Sequence, residues 1–413
     1  MALPGFRDFY PDDCAFRNAI FVKWRDVAHR YGFVEYDGPP LEPLDLFTKK
    51  SGDEIVTQLY HFKDKGDRDV ALRPEMTPTL ARLVTARHKD FKKPLKWFSI
   101  PQVFRYERQQ KGRLREHYQF NCDIIGEAGL EADIELIALV IDVLRAFGLT
   151  EKDFVVRLSD RQFWTDFMNA HGLPEDQRYA FIQAIDKSER EPREKTAEKL
   201  GPHADEVFAI LADPLHTKSE RLDTVETGLR HRGLQEYVKR DYTVVRGLAY
   251  YTGVVFEVFD RSGEFRAIAG GGRYDTLLKN LGGVDLPALG FGIGDVVLGE
   301  ILSQKMIFTT LKPSLDMYIA LMNYDFQSDA MSLAQKCRDA GFKIDYAFKA
   351  GSWNKQAETA ESKNALFLCV IGDKLKDGNV EVRELASRNT ESLSLEDVMP
   401  YLQQKLRSIQ SSD

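Results

Sequence analysis

Arg73-Pro74-Glu75-Met76-Thr77 places a carboxylate and a hydroxyl two positions apart. In an extended chain Arg73, Glu75 and Thr77 point to one face. An acid beside a hydroxyl suits a substrate ammonium group, which offers three donors; a strand end carrying a surface acid fits these residues equally well. Residues 103–125, VFRYERQQKGRLREHYQFNCDII, show a sharper pattern. Two alternating runs flank a basic turn, as in a β-hairpin with a long loop. Period-2 bookkeeping puts Arg105 and Glu107 on one face of the first strand, and Gln119, Asn121 and Asp123 on one face of the second. Phe104, Tyr106, Tyr118, Phe120 and Cys122 fall on the opposite faces. A merely solvated face would carry Lys, Thr and Ser instead. In the turn, Lys111, Arg113 and Arg115 are suited to phosphates, arginine above all for bidentate contact.

Further along, VRGLAYYTG at 245–253 sets Arg246 within an apolar run punctuated by glycines. Such an arginine is unfavourable without an anion, either a ligand or a structural carboxylate. Tyr250 and Tyr251 face opposite ways in a regular strand, so both line one pocket only where the chain turns or bulges. AGGGRYD at 269–275 allows close backbone approach, though taken alone it reads better as a glycine turn between strand and helix. It lacks the GxGxxG spacing and the phosphate-loop lysine, which disfavours both common nucleotide-binding loops.

The elements that must position these residues are legible in outline. Residues 14–31 read as an amphipathic helix stopped by Gly32, and runs near 56–62, 69–73 and 95–106 read as antiparallel strands. Residues 131–147 form a buried helix ended by Gly148. The stretch 150–240 is helical and charge-rich, strand pattern returns at 242–259, and a helix lies near 294–305. After Lys312-Pro313 a βαβαβ alternation restarts, a separate α/β domain with a mixed or parallel sheet. With 413 residues, two or three domains are expected. A composition of 43 % hydrophobic and 29 % charged residues is that of a soluble globular chain, and no apolar run is long enough to span a membrane. Four scattered cysteines without a CxxC pair argue against zinc or a disulfide framework, and the acidic, proline-containing start argues against export. The expectation is a cytoplasmic protein. A net charge of −7 disfavours nonspecific coating of nucleic acid but leaves RNA recognition by local basic faces open.

Taken together, Arg73 to Thr77, Phe104 to Asp123, RGLAYYTG and AGGGRYD resemble the histidyl-tRNA synthetases, a family of class II aminoacyl-tRNA synthetases, and more narrowly their organellar and cyanobacterial-type branch. The resemblance implies an α+β fold: an antiparallel sheet flanked by helices at 1–148 and 240–305, a helical insertion at 149–239, and an anticodon-binding domain at 313–413. It implies a homodimer built through residues 14–40. The partners would be L-histidine, ATP and tRNA(His), with Mg²⁺ held largely by phosphate oxygens and water; its protein ligands stay unknown. Glu75 and Thr77 would hold the histidine α-amino group, with Met76 contributing backbone. Gln119 and Asp123 lie on the amino-acid side, and Tyr250 and Tyr251 line the imidazole pocket. Arg105 would contact the ATP α-phosphate and the histidine carboxylate, Glu107 the adenine amino group, and Arg113 the phosphates. Arg246 and Arg105 would carry the charge stabilisation. Two positions depart from the family pattern: Ala249 replaces an acid, and Val297 replaces an arginine that stacks on adenine. The competing expectation is a non-catalytic paralogue that senses histidine for ATP phosphoribosyltransferase.

Overall fold

The computed structural model describes residues 2–48, 57–107, 112–246, 250–307 and 314–410. Lys111, Gly247 to Ala249 and the Lys312-Pro313 break lie outside the described residues. The chain divides into two compact units, Met1–Asp8 with Phe16–Thr309 and Phe9–Ala15 with Thr310–Asp413. No helix among the described residues is long and apolar enough to cross a membrane.

The first unit is built on strands β1 (Val34–Glu35), β2 (Leu41–Pro43), β3 (Tyr60–Lys63), β4 (Asp69–Leu72), β5 (Leu95–Ser99), β6 (Gln102–Phe104), β7 (Glu116–Ile125), β8 (Phe154–Asp160), β9 (Val238–Arg240), β10 (Val254–Asp260), β11 (Ala269–Arg273) and β12 (Ala288–Gly294). Its main sheet runs β1-β5-β7-β12-β11-β10-β8-β9, with β6 paired to β7. All its pairings are antiparallel except β1–β5 and β8–β9. β2, β4 and β3 form a small separate sheet.

Apolar periodicity decides which side of the main sheet is covered. The helix Leu130–Arg145 buries ten residues, among them Leu136, Ile137 and Val140. The helix Pro11–Arg30 adds Ile20, Trp24, Val27 and Ala28. Trp24 stacks on Phe120 of β7 at 5.4 Å, and Phe120 and Cys122 are fully buried. Because side chains alternate along β7, Gln119, Asn121 and Asp123 are turned to the other side. That face holds the site.

Several expectations need correction. Among the described residues, 242–246 and 250–253 are not a strand; β10 starts only at Val254, Tyr250 stands in a turn, and the glycines at 270–272 lie within strand β11 rather than in a turn. The stretch read as helical from 149 opens on β8, a member of the main sheet. The helix Thr77–Arg87, with proline in its first turn, has no counterpart in the sequence reading. The run 95–106 splits into β5 and β6, because Pro101 interrupts it.

The second unit carries β13 (Leu315–Leu321), β14 (Ile344–Tyr346), β15 (Ala365–Ile371), β16 (Asn379–Glu384) and β17 (Thr390–Ser394) in the order β14-β13-β15-β16-β17. β13 is parallel to both neighbours, with Gln327–Asp339 and Trp353–Ser362 as the crossover helices. The βαβαβ pattern is therefore present, followed by an antiparallel hairpin and the helix Val398–Gln410.

Candidate functional site

Two adjoining pockets open on the polar face of the first unit. The inner one is walled by Glu75 and Thr77 from the start of Thr77–Arg87, by Gln119, Asn121 and Asp123 from β7, and by Tyr250, Tyr251 and Tyr274. The turn at Tyr250 lets both adjacent tyrosines face inward, their rings 5.1 Å apart. Tyr250 Oη donates to Glu75 Oε2 at 2.9 Å. Glu75 Oε1 is buried and meets no hydrogen-bond partner among the described residues. Burial raises the Glu75 carboxyl pKa, opposed by Arg105, Tyr250 and Arg246. An acceptor oxygen left waiting in a buried, acidic pocket is suited to a cationic donor.

At the pocket floor Asp123 accepts a hydrogen bond from Tyr274 Oη. Burial pushes the Asp123 carboxyl up to about 7. A carboxyl whose pKa is raised on folding destabilises the native state above that pKa, and the penalty fades as pH falls toward the unfolded value. Asp123→Asn should therefore stabilise the ligand-free protein at pH 8, by an amount on the order of 2–4 kcal/mol. Thermal melts of both proteins at pH 8 and pH 5 check this. The gain should shrink at pH 5; an equal gain or a loss at both would refute it.

The outer pocket has a volume of about 220 Å³ and is lined by Glu107, Arg113, His117, Val296 and Val297. Glu107 and Arg113 form an ion pair. His117 is pushed down to about 3 by burial and then by Arg105 and Arg7, so its imidazole is neutral throughout the physiological range. Val297 gives this pocket an apolar wall at the position of the expected arginine. Arg105, Gln119 and Arg246 line both pockets and so mark their junction.

The two junction arginines are held firmly. Arg105 Nε donates to Pro74 O at 2.9 Å, and its peptide N–H to Arg115 O at 2.9 Å. Arg246 has a left-handed backbone, φ 59°, fixed by Arg161 Nη1 donating to the carbonyls of Val245 (2.5 Å) and Arg246 (3.2 Å). Its guanidinium pairs with Glu257 on β10 and lies 5.8 Å from the Tyr251 ring centroid. Glu257 faces Gly270 across the β10–β11 pair, and a Cβ at Gly270 would overlap the Arg246 guanidinium. In the same way a Cβ at Gly292 would overlap the Gln119 amide. The glycines make room for polar side chains.

Not every expected residue converges. Arg73 does not share a face with Glu75 and Thr77. It is buried and donates to Gln102 O (3.0 Å), Asp37 Oδ1 (3.0 Å) and Gly38 O (2.7 Å), because the chain enters a helix at Thr77 rather than continuing as a strand. The Met76 side chain is buried beside Arg73, 3.6 Å from Nη1, and is not part of the inner pocket lining. Arg115 turns from the outer pocket to lie over the Tyr106 ring at 4.1 Å. Arg273 is a structural clamp: it pairs with Asp133 and donates to the carbonyls of Glu127 and Gly129, each at 3.0 Å. His117 was missed, although it shares the parity of Gln119 and Asn121. Tyr274 and Glu257 carried no such signal. A roomier cavity of about 570 Å³, bordered by Leu211, Leu215 and β9, lies away from this chemistry; its Arg240 is already paired with Glu226 and Asp223.

Comparison with known proteins adds an independent line. The family described as histidyl-tRNA synthetase matches residues 5–294, and that described as anticodon binding domain matches residues 316–405. The chain is 45 % identical to the histidine–tRNA ligase of Opitutus terrae, over 96 % of each chain. It is 39 % identical to the chloroplastic/mitochondrial histidine–tRNA ligase of Arabidopsis thaliana, over 95 % of this chain and 85 % of that one. The solved histidyl-tRNA synthetase of Nostoc shares the fold with a TM-score of 0.80 at 22 % identity, covering 98 % of this chain and 99 % of that one. A Bacillus halodurans structure described as an ATP phosphoribosyltransferase regulatory subunit/histidyl-tRNA synthetase gives 0.70 at 24 % identity, over 90 % of this chain and 98 % of that one.

Proposed function

The chain belongs to the histidyl-tRNA synthetase family, and from that premise we propose that it activates L-histidine with ATP and transfers it to the 3′ end of tRNA(His). The observation that carries the reading is the junction: Arg105 and Arg246 each line both pockets. A carboxylate seated at that junction from the inner side meets an α-phosphate entering from the outer side. In the first step a carboxylate oxygen attacks the α-phosphorus in line, and the bond to pyrophosphate breaks. The transition state spreads negative charge over the phosphoryl oxygens, and two pre-positioned arginines stabilise it without reorganising. In the second step a hydroxyl of the terminal adenosine attacks the acyl carbon and AMP leaves.

Glu75 and Thr77 take the α-ammonium, with the backbone at Met76 between them. Gln119 and Asp123 face the bound amino acid, and Tyr250 and Tyr251 border its imidazole. Glu107 and Arg113 serve the nucleotide. No group of three or more His, Cys, Asp or Glu side chains converges among the described residues, and Glu107, the carboxylate lining the outer pocket, is already paired. The residues present do not make a protein cage for Mg²⁺, which would instead be held by phosphate oxygens and water.

We further place the catalytic core at 1–148 and 240–305, the insertion at 149–239 and the tRNA-reading domain at 313–413. We place the homodimer interface at residues 14–40, where Val22 on the helix Pro11–Arg30 and Val34 on edge strand β1 are exposed. Four unbonded cysteines fit a cytoplasmic setting. The regulatory-paralogue reading is weaker, because the chain also matches the anticodon-binding family. Histidine-dependent exchange of pyrophosphate into ATP by the purified protein is the test.

A further inference from the structure

The motif residues line the outer pocket; its β7 and β12 walls are hydrogen-bonded to each other up to the Gln119–Gly294 pair, and beyond that pair a side-chain clamp joins them. One wall is the start of β7, which carries His117; the other is the junction of β12 with the helix Asp295–Gln304, which carries Val296 and Val297. Arg7 reaches both. Its Nε donates to Glu116 Oε1 at 2.7 Å and its Nη2 to Glu116 Oε2 at 3.4 Å, while Nη1 donates to Asp295 Oδ2 at 2.9 Å. Glu116 is the residue before His117, and Asp295 the residue before Val296. Asp295 Oδ1 also accepts the Tyr118 peptide N–H at 2.9 Å, and Gln102 Nε2 donates to Glu116 Oε2 at 2.8 Å. Both carboxylates are buried, with side chains 1 % and 4 % exposed.

The segment bearing Arg7 is itself anchored. Arg115 donates its peptide N–H to Gly5 O at 2.9 Å, and the Phe6 ring packs against Tyr60 at 5.9 Å and Phe104 at 6.4 Å. A planar guanidinium can fork between two carboxylates in a way a lysine ammonium cannot. Removing it leaves two buried anions facing each other across the wall junction. The Val296–Val297 wall can hold a flat ring only by dispersion, and that attraction falls by a quarter to a half over a gap of roughly 0.5–1 Å. Wall spacing therefore decides how well the pocket grips.

We propose that Arg7 is a positioning residue for ATP: it clamps the His117 wall to the Val296–Val297 wall and sets the gap that the nucleotide enters. This rests on the reading of the outer pocket as the nucleotide subsite. In pyrophosphate exchange by the full chain, Arg7→Met should raise the KM for ATP by about 10-fold or more, with histidine KM and kcat changed less than about threefold. Arg7→Lys, the gentler variant should methionine fail to fold, should show a smaller rise in the same direction. A triple variant, Arg7→Met with Glu116→Gln and Asp295→Asn, removes the repulsion but not the loss of the clamp. Its thermal stability should return toward the parent's while its ATP KM stays high. An unchanged ATP KM in the folded Arg7 variants, or a KM restored together with stability, would overturn the proposal. Val296→Trp, which fills the outer pocket, separates the two readings. If it too leaves ATP KM unchanged, the nucleotide assignment fails; if it raises ATP KM while the Arg7 variants behave as parent, only the Arg7 proposal falls.

Discussion

Replacing Arg246 with methionine should slow adenylate formation by at least ~100-fold, about 2.7 kcal/mol, while changing histidine affinity much less. The guanidinium stands at the junction of the two pockets, anchored by Glu257 and backed by Tyr251. Being fixed before substrate arrives, it serves the charge that develops at the α-phosphate more than the ground state. Methionine meets the same left-handed backbone as arginine, so the substitution adds no strain of its own. Gly270→Ala offers a second route, since its Cβ would displace the guanidinium without deleting it. Single-turnover adenylate formation gives the rate, and equilibrium titration gives histidine affinity. A near-normal rate with only a raised histidine KM would show that Arg246 binds substrate uniformly.

The second large effect is expected at Glu75. Glu75→Gln should weaken histidine binding by about 100-fold, near the upper range for a hydrogen bond to a charged group and just below that for breaking a buried ion pair. The amide keeps the shape and can still accept from Tyr250, but it offers the α-ammonium no charge, and Oε1 is the buried oxygen without a partner. Calorimetric titration with histidine and with its des-amino analogue separates ammonium recognition from general damage. The analogue should bind parent and variant about equally. An equal loss for both ligands would contradict the assignment.

The polar face of β7 was legible because period 2 is rigid in a strand. Gln119, Asn121 and Asp123 all reached the pocket while Phe120 and Cys122 reached the core. The βαβαβ order of the second unit was legible for the same reason: periodicity and turn residues agree there. The non-strand course of 242–246 and 250–253 was not legible, since an apolar run with tyrosines has the composition of a strand. What bends it is tertiary, the Arg161 hydrogen bonds to the carbonyls of Val245 and Arg246. Arg73 looked like a site residue because in an extended chain it shares a face with Glu75, yet its partner Asp37 and the carbonyls of Gly38 and Gln102 lie 29 to 36 positions away. The Arg7 clamp joins groups separated by 109 and 288 positions. No local pattern announces such a contact.

The measurement closest to the central claim is pyrophosphate exchange into ATP by the purified full chain, run with histidine and, in parallel, with leucine and phenylalanine. A pocket with polar groups turned toward a ring N–H rejects apolar side chains, because its own buried groups would go unpaired. Exchange should require histidine, and leucine or phenylalanine should support less than roughly one-hundredth of its kcat/KM. Histidine binding without any exchange would contradict the account and make the chain a sensor rather than a ligase.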